Sequence, residues 1–251
     1  MPVARNPSTR TGPACRKDLF MSQTNVTTRS FIDLRAFAAA SAPQPGDFLH
    51  ARTLLAGQEG GLSIAACAPE GAGIITAMAE DEFVIVLAGE LNIGANVLGP
   101  DASIVLPRGS SFSWAAAPGT RAIIMGSKTS TPGAQTPVAI NPAPVLAPSK
   151  SPSADLLLGP APTCHSFNDY KSANGELVCG TWDSTPYARR AMHYGHAELM
   201  YLIEGSVTFV DGAGREKTFV KGDIFFVEQG ADCAWDSREY VKKVYAIFRP
   251  A

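Results

Sequence analysis

The chain has 251 residues, 45% of them hydrophobic, with 23 glycines, 19 prolines and a formal net charge of −2. That length builds one large domain or two small ones with real cores. The near-neutral charge, without any lysine or arginine run, gives no footprint for nucleic acid or a membrane surface, and no apolar stretch approaches the roughly 20 residues of a membrane helix.

The opening segment "MPVARNPSTRTGPACRKDLF" is basic and proline-rich and lacks the apolar centre of a secretory signal. It reads as a tail or an extension upstream of Met21, and the tail is taken to residue 30. "SFIDLRAFAAA" (30–40) is the one stretch that reads as helix. Short runs rich in Val, Ile and Phe then follow, set off by Gly, Pro, Asn and Asp: "GLSIAAC", "GIITAM", "EFVIVLAG", "ASIVLP" and "RAIIMG". Such runs predict strands.

The proline-rich segment 127–155 has little periodicity and predicts an extended linker along the surface, with a boundary near residue 150. Strands resume with "ELVCGTW", "ARRAMHY", "ELMYLIEG", "SVTFVDG", "KTFVKGDIFFVEQG" and "VKKVYAIF". Asp-Gly in "VDGAGRE" predicts a hairpin turn. The five cysteines, Cys15, Cys67, Cys164, Cys179 and Cys233, form no CxxC pair, which favours free thiols and a cytoplasmic location over a disulfide framework.

The two strand-rich blocks repeat each other. "EFVIVLAGEL" (82–91) superposes on "ELMYLIEGSV" (198–207), pairing Glu82 with Glu198 and Gly89 with Gly205. "IVLPRGSSFSW" (104–114) superposes on "FFVEQGADCAW" (225–235), pairing Trp114 with Trp235. Two blocks in the same order predict a duplication. The expected fold is all-β, with small barrels or sandwiches as its closure, duplicated over residues 31–126 and 156–251.

These residues resemble the RmlC-like cupin superfamily, whose first motif runs G-x5-H-x-H-x(3,4)-E-x6-G and whose second runs G-x5-P-x-G-x2-H-x3-N. Glu198 and Gly205 keep the E-x6-G spacing; His193 falls at the second histidine and Ala191 at the first. Gly222, Glu228, Gly230, Cys233 and Ser237 fall where the second motif has G, P, G, H and N. "GTWDSTPY", "GDIFFVEQGADCAW" and "VKKVYAIF" are similar, more narrowly, to the DUF861-type subfamily of ureidoglycine aminohydrolase and the ethanolamine-utilisation cupins.

The resemblance implies two jelly-roll barrels in tandem, packed as a pseudo-twofold pair, with a site in the second barrel. Alternation on a strand places Arg189, Ala191 and His193 on one face, and Glu198, Met200 and Leu202 on another inward face. His193, Glu198 and Cys233 form a set able to hold one divalent ion, manganese, zinc or iron, with an open position for water. The same residues also read as a polar lumen without metal, with Cys233 a buried thiol. Arg189 and Tyr187 join Glu198 as catalytic candidates, since a buried arginine needs a partner. His196 is expected on the connecting turn, His165 at the surface, and Trp182 as core more than as mouth. In the first barrel Ala77 stands at the His193 position and Phe112 at the Cys233 position, so no metal is expected there.

Two kinds of function follow from the resemblance: a metal-dependent hydrolase or lyase of ureidoglycine aminohydrolase type acting on a small polar metabolite, or a metal-free ligand-binding or structural protein. A homodimer is compatible with either, and neither calls for nucleic acid or membrane.

Overall fold

The structure, a computed structural model, describes residues 28–250. Most of the expected tail, with Cys15 and Met21, lies outside the described residues. Its last residues are anchored: the Ser30 amide donates to Glu228 Oε2 at 2.9 Å, and the Ser30 hydroxyl donates to Asp211.

The expected helix begins later than the sequence pattern suggested. Phe31–Asp33 is a strand, β1, and the helix α1 covers Leu34–Ser41. Asp33 caps the helix by accepting from the Ala36 amide at 2.9 Å. Phe31 and Ile32 are kept extended by pairing with Val227 and Phe226 near the other end of the chain.

The first half then runs β2 (Arg52–Leu54), β3 (Leu62–Cys67), β4 (Gly71–Ile75), β5 (Asp81–Ala88), β6 (Leu91–Ile93) and β7 (Asn96–Leu98), followed by β8 (Ser103–Leu106), β9 (Phe112–Ala116) and β10 (Arg121–Ser127). The proline-rich segment carries β11 (Val138–Ala139) and β12 (Ala147–Ser149). The second half runs β13 (Cys164–Lys171), β14 (Leu177–Ser184), β15 (Tyr187–His193), β16 (Ala197–Glu204) and β17 (Ser206–Asp211). It ends with β18 (Glu216–Val220), β19 (Ile224–Val227), β20 (Asp232–Ser237) and β21 (Val241–Phe248).

Each half is a sandwich of one large and one small antiparallel sheet. The large sheets are ordered β11-β8-β5-β10-β3-β2 and β1-β19-β16-β21-β14-β13-β12; the small ones are β4-β9-β6-β7 and β15-β20-β17-β18. The ladders do not close into barrels as the sequence led us to expect. Side-chain packing joins the sheets of each half, and the large sheets end in strands of two or three residues, which limits exposed backbone.

The proline-rich linker is tethered at both ends, β11 to β8 and β12 to β13. Strand β1 crosses the expected domain boundary to extend the second half's sheet.

Three apolar cores hold these layers. One lies between the sheets of the first half, around Phe48, Val84, Ile104 and Trp114. Another fills the second half around Phe209, Phe225 and Trp235. The third lies where the two large sheets face each other, joining Phe83, Ile85 and Ile123 to Leu199, Phe226 and Val244. Both faces of each large sheet are therefore covered. This is why "VIV" and "FFV" are continuous apolar runs rather than alternating ones.

A polar key sits beside the shared core. The Tyr170 hydroxyl donates to buried Asp81 Oδ2 at 2.7 Å and accepts from the Gly133 amide at 2.9 Å. Tyr170→Phe leaves that carboxylate oxygen without its partner, so a loss of about 1–3 kcal/mol is expected in denaturant unfolding.

Candidate functional site

The site is built on the second half, and a β-bulge decides its composition. Strand β15 pairs with β20 through Arg189↔Trp235 and then Met192↔Cys233, so Arg190 and Ala191 form an extra step. One added residue reverses the side-chain alternation beyond it. Tyr187 and Arg189 face inward, but after the bulge it is Met192 and Tyr194 that do so.

His193 is thereby turned outward, correcting the expectation that it shares a face with Arg189. Its side chain is 67% exposed and its Nδ1 lies 3.2 Å from Asp232 Oδ1. Cys233 is fully buried in the apolar core, where burial pushes its thiol up to about 11, so it stays protonated at neutral pH. The expected His193–Glu198–Cys233 ligand set is not brought together. Among the described residues no group of three His, Cys, Asp or Glu side chains is placed to hold a metal ion. A metal centre does not fit this donor set.

What the fold assembles instead is a cup of about 480 Å³ between the two sheets. Its floor is ionic. Glu198 and Lys243, both almost fully buried, meet at 2.8 Å (Oε1 to Nζ), and Glu198 Oε2 lies 3.5 Å from His196 Nε2. Lys243 also donates to Met200 Sδ at 3.1 Å. Its ammonium stands 4.9 Å from the Trp182 ring and 5.3 Å from the Trp235 ring, within cation–π range. Burial alone would raise the Glu198 carboxyl, but Lys243 and His196 together outweigh it and hold the group at about 2. Glu198 is thus a fixed anion at neutral pH.

The walls are aromatic. Tyr187 stacks on Trp235 with ring centroids 5.5 Å apart, and Trp182 meets Trp235 edge-on at 6.0 Å. Arg189 donates to the Tyr194 hydroxyl at 2.8 Å. Burial raises the Tyr187 and Tyr194 phenols against the opposing pull of Arg189, so both remain hydrogen-bond donors.

Of the expected catalytic candidates, Glu198, Arg189 and Tyr187 all line the cup. His196 sits on the turn, as expected, but reaches in to Glu198. Trp182 forms a wall, whereas Asp183 points to the opposite face, where it holds His165 and the Tyr240 hydroxyl. Lys243 was not foreseen. Its signal was a lysine within "VKKVYAIF", where alternation puts Lys243 and Tyr245 on the inward face.

The first half shows the same ladder positions without the chemistry. Glu82 takes the place of Glu198, but its cation is Arg52, which bonds it through both guanidinium nitrogens at 2.6 and 3.0 Å. Ala122 occupies the rung of Lys243 and Gly73 that of Arg189, judged by their partners Val86 and Trp114. Phe48, stacked under Arg52 and 6.0 Å from the Trp114 ring, fills the interior.

Residues 171–245 match the profile of the EutQ-like cupin domain. No curated protein matches the chain. Among solved structures, a DUF861-family protein of unknown function from Pseudomonas syringae pv. tomato str. DC3000 is 31% identical over 77% of this chain and 85% of that one, with a TM-score of 0.73. A cupin 2 conserved barrel domain protein from Leptotrichia buccalis (15% identity, 79% and 88% coverage, TM-score 0.53) shares the fold. So does a single-residue mutant of salicylate 1,2-dioxygenase from Pseudoaminobacter salicylatoxidans (11% identity, 89% and 84% coverage, TM-score 0.54). With a relative at 31% identity matched over most of both lengths, and the cupin profile falling on the half that carries the cup, the chain belongs to the DUF861 family of cupins.

Proposed function

We propose that the second half is a small-molecule-binding cup that works through its own side chains rather than through a bound metal. The observation that carries this reading is the Lys243–Glu198–His196 floor beneath a cavity of about 480 Å³, a volume suited to a small metabolite. Glu198 fixes the positions of Lys243 and His196. The cup can therefore bind a polar metabolite against this charged floor, with His196 offering the ring nitrogen that Glu198 does not engage. A metal-assisted hydrolysis of ureidoglycine type draws no support from this donor set.

The first half serves as a packing partner in this reading. Its interior is filled by apolar side chains beside the Arg52–Glu82 pair, and its sheets repeat the strand order of the second half. Gly89 and Gly205 fall at matching turns with φ of +75° and +78°. These correspondences support a duplicated pair of cupin units, of which one retained its cup.

Paired histidine variants test the site. His196→Ala is expected to weaken ligand-induced thermal stabilisation about tenfold in apparent affinity, the loss of one charged hydrogen bond. His193→Ala, on the exposed side of the bulge, is expected to leave binding unchanged and stability within about 0.5 kcal/mol. The reverse ranking, or zinc or manganese retention that depends on His193, would defeat the assignment.

A further inference from the structure

The cup contains one buried cation that no carboxylate answers. Arg189 is 4% exposed and lines the cavity. It donates to the carbonyls of Cys233 at 2.7 Å and Arg190 at 3.3 Å and to the Tyr194 hydroxyl at 2.8 Å, all neutral acceptors. Among the described residues it makes no ion pair, whereas Lys243 is matched by Glu198. A guanidinium held out of water without a counter-charge is costly, and the cost falls when an anion arrives.

The two halves separate this cation from ordinary structural pairing. A buried carboxylate–cation pair occurs in both, Glu82 with Arg52 and Glu198 with Lys243. That pairing belongs to the architecture. The unanswered arginine occurs where there is a cup; in the half filled by Phe48 and Phe112, the rung opposite the tryptophan is Gly73.

We propose that Arg189 is the anchor for a monocarboxylate whose flat body lies against Trp182, Trp235 and Tyr187. This rests on the second half being a small-molecule site. In the deep cup Glu198 is answered by Lys243 and His196, which leaves the Arg189 guanidinium for one carboxylate. Arg is suited to that partner because its planar fork matches the two oxygens. A phosphate dianion would bring a second negative charge into a cup that already contains Glu198. At the mouth, Lys150, Lys171 and Arg249 add positive charge that draws anions inward.

Calorimetry and tryptophan fluorescence on the full chain test this, using benzoate, propanoate, their uncharged amides, and phenyl phosphate. Benzoate is expected to bind at least about tenfold more tightly than benzamide, and more tightly than phenyl phosphate. Arg189→Gln is expected to bring acid and amide within about threefold of each other, and Arg189→Lys to keep part of the preference. Should Arg189→Gln fail to fold, Arg189→Lys decides alone, a reduced preference supporting the anchor and an unchanged one overturning it. Equal binding of benzamide and benzoate to wild type, or an acid preference unchanged in the folded variants, overturns the anchor and leaves the cup as a binding site. Tighter binding of phenyl phosphate overturns the carboxylate class. If none of the five compounds binds, the reading of the cup as a small-molecule site falls, and this inference with it.

Discussion

Replacing Lys243 with methionine is expected to destabilise the protein by about 3–5 kcal/mol at neutral pH, because Glu198 then stays buried without its principal counter-charge. Both side chains are almost fully buried and meet at 2.8 Å. The double variant Lys243→Met/Glu198→Gln is expected to recover most of that loss, since it removes both charges together. Urea unfolding of wild type, both single variants and the double variant measures the coupling. Additive losses would show that the pair does not act as a unit.

The same pair predicts a sign change in pH dependence. In wild type the Glu198 carboxyl is lowered from an ordinary 4.5 to about 2 on folding, so its contribution is complete above 4.5 and is lost as pH falls from 4.5 towards 2. Without Lys243 the chief opposition to burial is gone and the folded carboxyl rises. Lys243→Met should then be most destabilised at neutral pH and recover part of its deficit on acidification towards 4.5. Melting temperatures across that range test both slopes, and parallel curves for wild type and variant would refute the account.

Gly205→Ala is the second large effect expected, a loss of at least about 3 kcal/mol. A left-handed backbone costs a non-glycine residue roughly 1–2 kcal/mol, and Gly205 has φ +78°. A Cβ there would also lie 2.1 Å from the Tyr240 carbonyl oxygen, on the chain entering β21. Backbone cannot yield as a side-chain tip can, so the strand carrying Lys243 must shift. Gly214 supplies the control: its φ is also +78°, but nothing lies within 4 Å of the added methyl. Gly214→Ala should cost only the conformational part, about 1–2 kcal/mol. Equal losses at the two glycines would show that the close approach is without consequence.

The all-β class, the cupin resemblance and the repeat of Glu82 and Gly89 on Glu198 and Gly205 are legible along the chain. These are local properties: short apolar runs, turn residues that favour positive φ, and spacing within one hairpin. The sequence also placed Arg189, Tyr187 and Glu198 on an inward face, because alternation holds as long as the strand is regular. The rest depends on how distant strands pair. The bulge at Arg190–Ala191 turns His193 out and Met192 in, and nothing in "ARRAMHY" marks the extra step, which arises from pairing with β20. Cys233 is committed to the apolar core by that same register. Lys243 acquires its role only when β21 lies beside β16, bringing together residues 45 positions apart in the chain. Strand periodicity encodes which face a side chain takes, but the partner it meets there depends on long-range register, and one inserted residue reverses the face itself.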